Sequence, residues 1–140
     1  MRHAAAAAAL VICLLGAPAA RAGDGPVVAA GQAVITSQLE AFEREDGAAA
    51  FNLAAPEVRA LFSDPGTFMA MVQHGYQPVY RHRSYEFGTG READGKFAQT
   101  ARVVDAQGVP WNALYTLERQ PDGSWKITGC VLRRAVDEPA

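Results

Sequence analysis

Two side chains in this 140-residue sequence have the chemistry of a general base, and they lie far apart in the chain. Asp46 continues the apolar positions Ile35, Leu39 and Phe42 by one further helical turn. Its carboxylate would then sit beneath whatever those residues pack on, where burial raises a carboxyl toward the range useful for proton transfer. The competing reading is a helix cap, which its position directly before Gly47-Ala48 fits well. His82 lies in Val79–Phe87 (VYRHRSYEF), a stretch whose alternation offers two faces. If Tyr80 and His82 face inward, His82 is an acid/base candidate. If Arg81, Arg83, Tyr85 and Phe87 face inward, the two guanidiniums make an anion site for a carboxylate or phosphate. Facing outward instead, those arginines are solvated charges that discourage edge-to-edge pairing.

A second group has the chemistry of recognition. Gln99, Trp111 and Tyr115 carry polar tips at positions that alternate with solvent-facing residues, which is odd for a dry core and natural for a pocket. A Gln99–Tyr115 hydrogen bond within the sheet, with the Tyr115 ring covering Gly129, is the structural alternative. Phe68, Met69 and Met71 form either a soft ligand-contacting patch or, at helical spacing, ordinary core. His74 serves the C-terminal end of a helix dipole. Cys130 is expected as a small buried core residue. No metal-ligand constellation, Gly-rich phosphate loop or nucleophile elbow is present, and no cofactor is implied.

The elements that must position these residues are legible. Trp111–Leu132 (WNALYTLERQPDGSWKITGCVL) reads as two strands joined by Pro121-Asp122-Gly123, a three-residue hairpin loop with Gly at the left-handed position. That loop sets Arg119 opposite Trp125, Glu118 opposite Lys126 and Leu117 opposite Ile127. Carried on unchanged, it sets Thr116 opposite Thr128, Tyr115 opposite Gly129, Leu114 opposite Cys130 and Ala113 opposite Val131. Lys96–Val104 pairs with the first of these strands in the register Val103–Trp111, Gln99–Tyr115, Phe97–Leu117 and Lys96–Glu118, which gives a charge ladder from Lys96 through Glu118 to Lys126. Gly129 inside a strand suggests a bend or bulge, hence a curved sheet. Val79–Phe87 is expected as the remaining strand and Gly88–Gly95 as a polar connection.

Helices precede the strands. From Pro26 to about Glu45 the stripe Val28, Ile35, Leu39 and Phe42 marks the first, and Ala48–Leu53 a short second. Pro56 opens a third. Asp64 caps a fourth with Pro65 as its first residue, and Gly75 is expected to end it as a left-handed cap. The predicted fold class is therefore α+β, with N-terminal helices packed on a curved four-stranded antiparallel sheet and any pocket at its open end.

Composition narrows the function classes. Met1-Arg2-His3, the apolar run Ala4–Leu15 and Ala20-Arg21-Ala22 read as a signal peptide over residues 1–22, cleaved before Gly23. The run is too short for a comfortable span, so no stable membrane anchor is expected after cleavage. Cys13 follows Ile12, where lipoprotein processing needs a small residue. Of the 13 Lys and Arg against 15 Asp and Glu, Arg2 and Arg21 fall in that leader, leaving a net charge of about −4. An acidic domain of this kind is no partner for nucleic acid. With the leader gone Cys130 is alone, so no internal disulfide forms although an exported compartment, periplasmic or extracellular, would permit one. Residues 23–140 are expected to form one domain.

Several pieces of the chain together resemble a known family. They are Gln38-Leu39-x-Ala41-Phe42 with Asp46, Ala50-Phe51, Ala54-x-Pro56, Phe68-Met69-x-Met71-Val72 and Gly75-Tyr76-x-Pro78-Val79-Tyr80. Trp111-x-Ala113-x-Tyr115 and Asp122-Gly123-Ser124-Trp125-x-Ile127-x-Gly129-Cys130 complete the set. In order and spacing they resemble the domain of unknown function 4864 family of short exported bacterial proteins. Helices followed by long strands ending in W-x-I-x-G resemble the cone fold of nuclear transport factor 2 and steroid isomerase. The resemblance implies a fold and no activity, because cone folds host isomerases, dehydratases, ligand binders and dimerisation modules.

Three functional expectations follow. The first is a non-catalytic binder of a small, partly apolar or anionic ligand or of a protein, lined by Tyr115, Gln99, Trp111, Arg83 and Arg81. The second is an isomerase- or dehydratase-type enzyme with Asp46 or His82 as general base; it ranks lower because no two polar groups are seen to converge. The third is a homodimer through the outer sheet face at Leu114, Cys130 and Leu132.

Overall fold

Residues 25–136 are described by a computed structural model, so the leader expected at 1–22, with Cys13 and the cleavage site, lies outside the described residues. Helix α1 (Pro26–Glu43) begins with proline in its first turn, where a missing N–H costs nothing, and buries Val28, Ile35, Leu39 and Phe42 as its spacing requires. Its buried Gly31 lets the helix press on the sheet: a Cβ there would stand 2.2 Å from the Phe97 ring. Helix α2 (Gly47–Asn52) is capped by Asp46, and α3 (Pro56–Phe62) buries no residue fully. Helix α4 (Pro65–Gly75) starts on an Asp64 cap that accepts from the Thr67 amide at 2.8 Å. It closes at Tyr76 with φ −135°, so Gly75 is not the left-handed cap expected of it. Among the described residues no helix is long and apolar enough to cross a membrane.

Val79 and Tyr80 belong to a fifth helical turn, α5 (Gln77–Tyr80), rather than to a strand. Pro78 favours a helical first turn, and burying Pro78, Val79 and Tyr80 together needs the helical turn rather than alternation. Strand β1 (Ser84–Ala93) therefore starts later than expected and runs through most of the segment read as a loop. Its hairpin to β2 (Lys96–Val104) is a two-residue turn, Asp94-Gly95, with both residues at positive φ. Aspartate and glycine are the residues that such a turn selects. Gly88 and Thr89 form a bulge between Phe87 and Gly90.

Strands β3 (Pro110–Arg119) and β4 (Trp125–Arg134) complete an antiparallel meander in the order β1-β2-β3-β4. The β2–β3 register is the expected one at every pair from Lys96–Glu118 to Val103–Trp111. The β3–β4 turn is also as expected, with Gly123 at φ +87° and the Gln120 amide bonded to the Ser124 carbonyl at 2.7 Å. Arg119–Trp125, Glu118–Lys126 and Leu117–Ile127 face one another as read. Lys126 Nζ, however, donates to the Asn52 carbonyl at 2.8 Å.

Beyond Ile127 the expected register fails. Thr128 bulges, Thr116 meets Gly129, Tyr115 meets Cys130, Leu114 meets Val131 and Ala113 meets Leu132. One extra residue exchanges the faces of everything after it. Cys130 and Leu132 turn toward the helices, and Val131 joins Leu114 outside. The outer face expected at Leu114, Cys130 and Leu132 is thus corrected to Leu114 and Val131. The edge of β4 is paired in turn: Ile127 exchanges backbone bonds with Leu53 and Ala55, at 2.9 and 2.8 Å. That bridge fixes the start of α3 above the bulge.

Candidate functional site

The bulge forms one wall of a cavity of about 220 Å³ under the helices. Ile127, Thr128, Gly129 and Cys130 supply its β4 side and Tyr115 its β3 side. Gln38 and Phe42 come from α1, Val58, Leu61 and Phe62 from α3, and Phe68, Met71 and Val72 from α4; Tyr76 and Val79 close it beside α5. Leu61 is 78% exposed although it lines the space, which places it at the mouth. The lining contains no Asp, Glu, Lys, Arg or His.

Two polar side chains of this wall bond within the protein, and one that is fully buried does not. Gln38 Nε2 donates to the Ala50 carbonyl at 3.2 Å, and Thr128 donates to the Thr116 hydroxyl at 2.9 Å. Tyr115 is 1% exposed, and its hydroxyl has no hydrogen-bond partner among the described residues. The Cys130 thiol stands beside it without completing a bond of ordinary geometry. Burial, and then the Cys130 thiol, hold Tyr115 ionisation well above the ordinary tyrosine value, so the group is a neutral O–H. Burial likewise pushes the Cys130 thiol up to about 12, which leaves it unreactive.

The other sequence candidates lie elsewhere. Gln99 is wholly buried but fully used: Nε2 donates to the Gly88 and Thr100 carbonyls at 3.1 and 2.8 Å, and Oε1 accepts from Gln32 at 3.2 Å. It holds the β1 bulge together and makes no bond to Tyr115. Tyr115 faces Cys130 and does not cover Gly129. Trp111 donates from Nε1 to Asp105 Oδ2 at 3.0 Å and lies under Arg134. Asp46 accepts from the Ala49 amide at 3.0 Å and stands near Arg44, the cap arrangement with its carboxylate near solvent.

His82 and Arg81 serve the end of α1. His82 Nδ1 meets the Val79 carbonyl at 2.8 Å and Nε2 meets the Glu43 carboxylate at 2.6 Å. Arg81 pairs with Glu45 and covers the Tyr80 ring, and the Tyr80 hydroxyl donates to the same carboxylate at 3.3 Å. Arg81, followed by Tyr80, holds the Glu45 carboxyl below its ordinary range. These pairs secure Glu45 at φ +56°, an unfavourable backbone for a residue with a side chain. Arg83 donates to the Ala106 carbonyl at 3.1 Å on the exposed β2–β3 side. Arg81 and Arg83 therefore do not converge on an anion site. Asp46 and His82 are not in the cavity wall.

Sequence reasoning placed Tyr115 on the correct face and offered Phe68 and Met71, which line the cavity, as a ligand-contacting patch or core, but missed Cys130 and Gln38 as neighbours of Tyr115 there. Gly129 was the available signal for Cys130, since a bulge beside it reverses the following residues. Among the described residues no group of three or more His, Cys, Asp or Glu side chains is placed to hold a metal ion.

The family model described as Domain of unknown function (DUF4864) matches residues 28–140. The solved structure of an NTF2-like protein of unknown function from Burkholderia pseudomallei is similar at 12% identity and a TM-score of 0.42, over 75% of this chain and 90% of that one. No curated protein matches the chain.

Proposed function

Because the chain belongs to the DUF4864 family, which carries no assigned activity, we propose from its own side chains that it is an exported, non-catalytic binder of a small, largely apolar ligand. One observation carries this reading: Tyr115, a residue of the wall of a largely apolar cavity, has a fully buried hydroxyl without a partner among the described residues. An unpaired buried hydroxyl costs about 1–3 kcal/mol, a penalty that a ligand's polar atom would relieve. Catalysis is less supported, since the acid/base candidates are engaged in a helix cap and in the Glu43–His82 pair. The export part of the proposal rests on the sequence of residues 1–22.

Native mass spectrometry of protein recovered from the exported fraction tests the reading. Wild-type protein is expected to retain a small non-covalent mass, and Val58→Trp, which fills the cavity from α3, is expected to lose it. An unliganded wild type under gentle conditions would count against the proposal.

A second reading has its own support. Leu114 and Val131, 42% and 53% exposed, face one another on the outer sheet, which favours a second copy as cover. Sedimentation of wild type against Val131→Asp checks it: a dimer that dissociates in the variant is expected, and a wild-type monomer removes the reading.

A further inference from the structure

We propose that the cavity selects a neutral ligand that presents one acceptor oxygen, from a carbonyl, ether or alcohol, to the Tyr115 hydroxyl. The proposal rests on the binding reading above and adds the chemical class. Neutrality follows from the wall. No charged side chain lines the space, and a buried charge without a counter-charge is strongly disfavoured. The charges at the end of α1 are paired and lie outside the lining: Arg44 with Asp46, Arg81 with Glu45 and His82 with Glu43. Arg59 on α3 has a buried Nε without a partner, but Arg59 is not part of the lining.

The need for an acceptor follows from what the wall offers. The Gln38 amide and the Thr128 hydroxyl already donate within the protein. Tyr115 is the lining side chain left with an unused buried O–H, and its burial keeps that proton in place. Its neighbour Cys130 is likewise a neutral thiol, a weak donor and a weak acceptor. An oxygen acceptor therefore completes the site better than a second donor. Size is bounded as well, because about 220 Å³ lies below the roughly 300–1,000 Å³ of sites for drug-sized ligands.

Three isosteric probes separate these claims: cyclohexyl methyl ketone, isopropylcyclohexane and cyclohexanecarboxylate, titrated by ligand-observed NMR into wild type, Tyr115→Phe and Val58→Trp. The ketone and the hydrocarbon are expected to bind wild type and not Val58→Trp, and the carboxylate is expected not to bind. The ratio of ketone to hydrocarbon affinity is expected to fall about tenfold in Tyr115→Phe, the size of one buried hydrogen bond. An unchanged ratio, or carboxylate binding as tight as the ketone's, would overturn the neutral-acceptor proposal while leaving the cavity as a binding site. Failure of both neutral probes to bind wild type, or undiminished binding to Val58→Trp, would overturn the binding reading and this inference with it.

Discussion

Gln99 and Tyr115 face each other across β2 and β3, both sealed from solvent, and their polar tips have opposite fates. Gln99 satisfies the carbonyl that the β1 bulge exposes, whereas the Tyr115 hydroxyl satisfies nothing among the described residues. Substitution should separate them. Gln99→Leu leaves the Gly88 carbonyl and the Gln32 amide without their partner and is expected to lower unfolding free energy by about 1–3 kcal/mol. Tyr115→Phe removes an unsatisfied group and is expected to raise the stability of unliganded protein by about 1 kcal/mol, against the usual sign for a buried tyrosine. Urea titrations of ligand-stripped protein check both. The inward direction of each residue was legible from the alternation of its strand. Their partners were not, because Gly88 lay in a segment read as loop and Cys130 lay beyond a bulge.

The elements show where local pattern is enough and where it is not. The α1 stripe, the Asp64-Pro65 start and the Pro121-Asp122-Gly123 loop each carry their own stereochemical instruction, and the chain follows it. Asp94-Gly95 carries one too, but Gly88-Thr89-Gly90 just before it resembles a break, although glycines in a strand also mark a bulge. Val79 and Tyr80 suit a strand and a buried helical turn equally; tertiary packing chose the turn. Two predictions belong here. Gly31→Ala is expected to cost about 1–3 kcal/mol despite the better helix propensity of alanine, because its methyl meets the buried Phe97 ring; thermal unfolding measures it. A double-mutant cycle between Glu43 and His82 is expected to give a coupling of about 1 kcal/mol, since their bond ties the end of α1 to the entry of β1.

At the scale of the whole molecule, four carboxylates at turns and helix starts set the response to acid. Glu45, Asp64, Asp105 and Asp122 are all held below their ordinary values, by Arg81, the Thr67 amide, the Trp111 indole and the Ser124 hydroxyl respectively as the largest causes. A carboxyl depressed in the folded state gives stabilisation that is complete above its unfolded value and is lost as pH falls through the folded one. Stability is therefore expected to be flat above the ordinary values of 4.5 for Glu45 and 3.8 for the aspartates and to drop below them. Denaturant midpoints across that range check this, and Asp105→Asn should make the drop shallower. The layering of helices on an antiparallel meander was legible because strong periodic segments report their own type. A pocket on the helix-covered face was expected, but its size and lining were not legible, because they depend on how far five helices and two bulges stand apart, a property that no local pattern encodes.

The extra residue in β4 also has a consequence for how the strand tolerates change. Before Thr128 the inward positions are odd-numbered, Trp125 and Ile127; after it they are even-numbered, Cys130 and Leu132. A saturation scan of Trp125–Arg134 should therefore show its demand for apolar side chains switch parity in mid-strand. Deleting Thr128 would close the bulge and leave Gly129 opposite Thr116 and Cys130 opposite Tyr115, so the strand should survive with its faces intact the loss of one residue that in a regular strand would reverse every position after it.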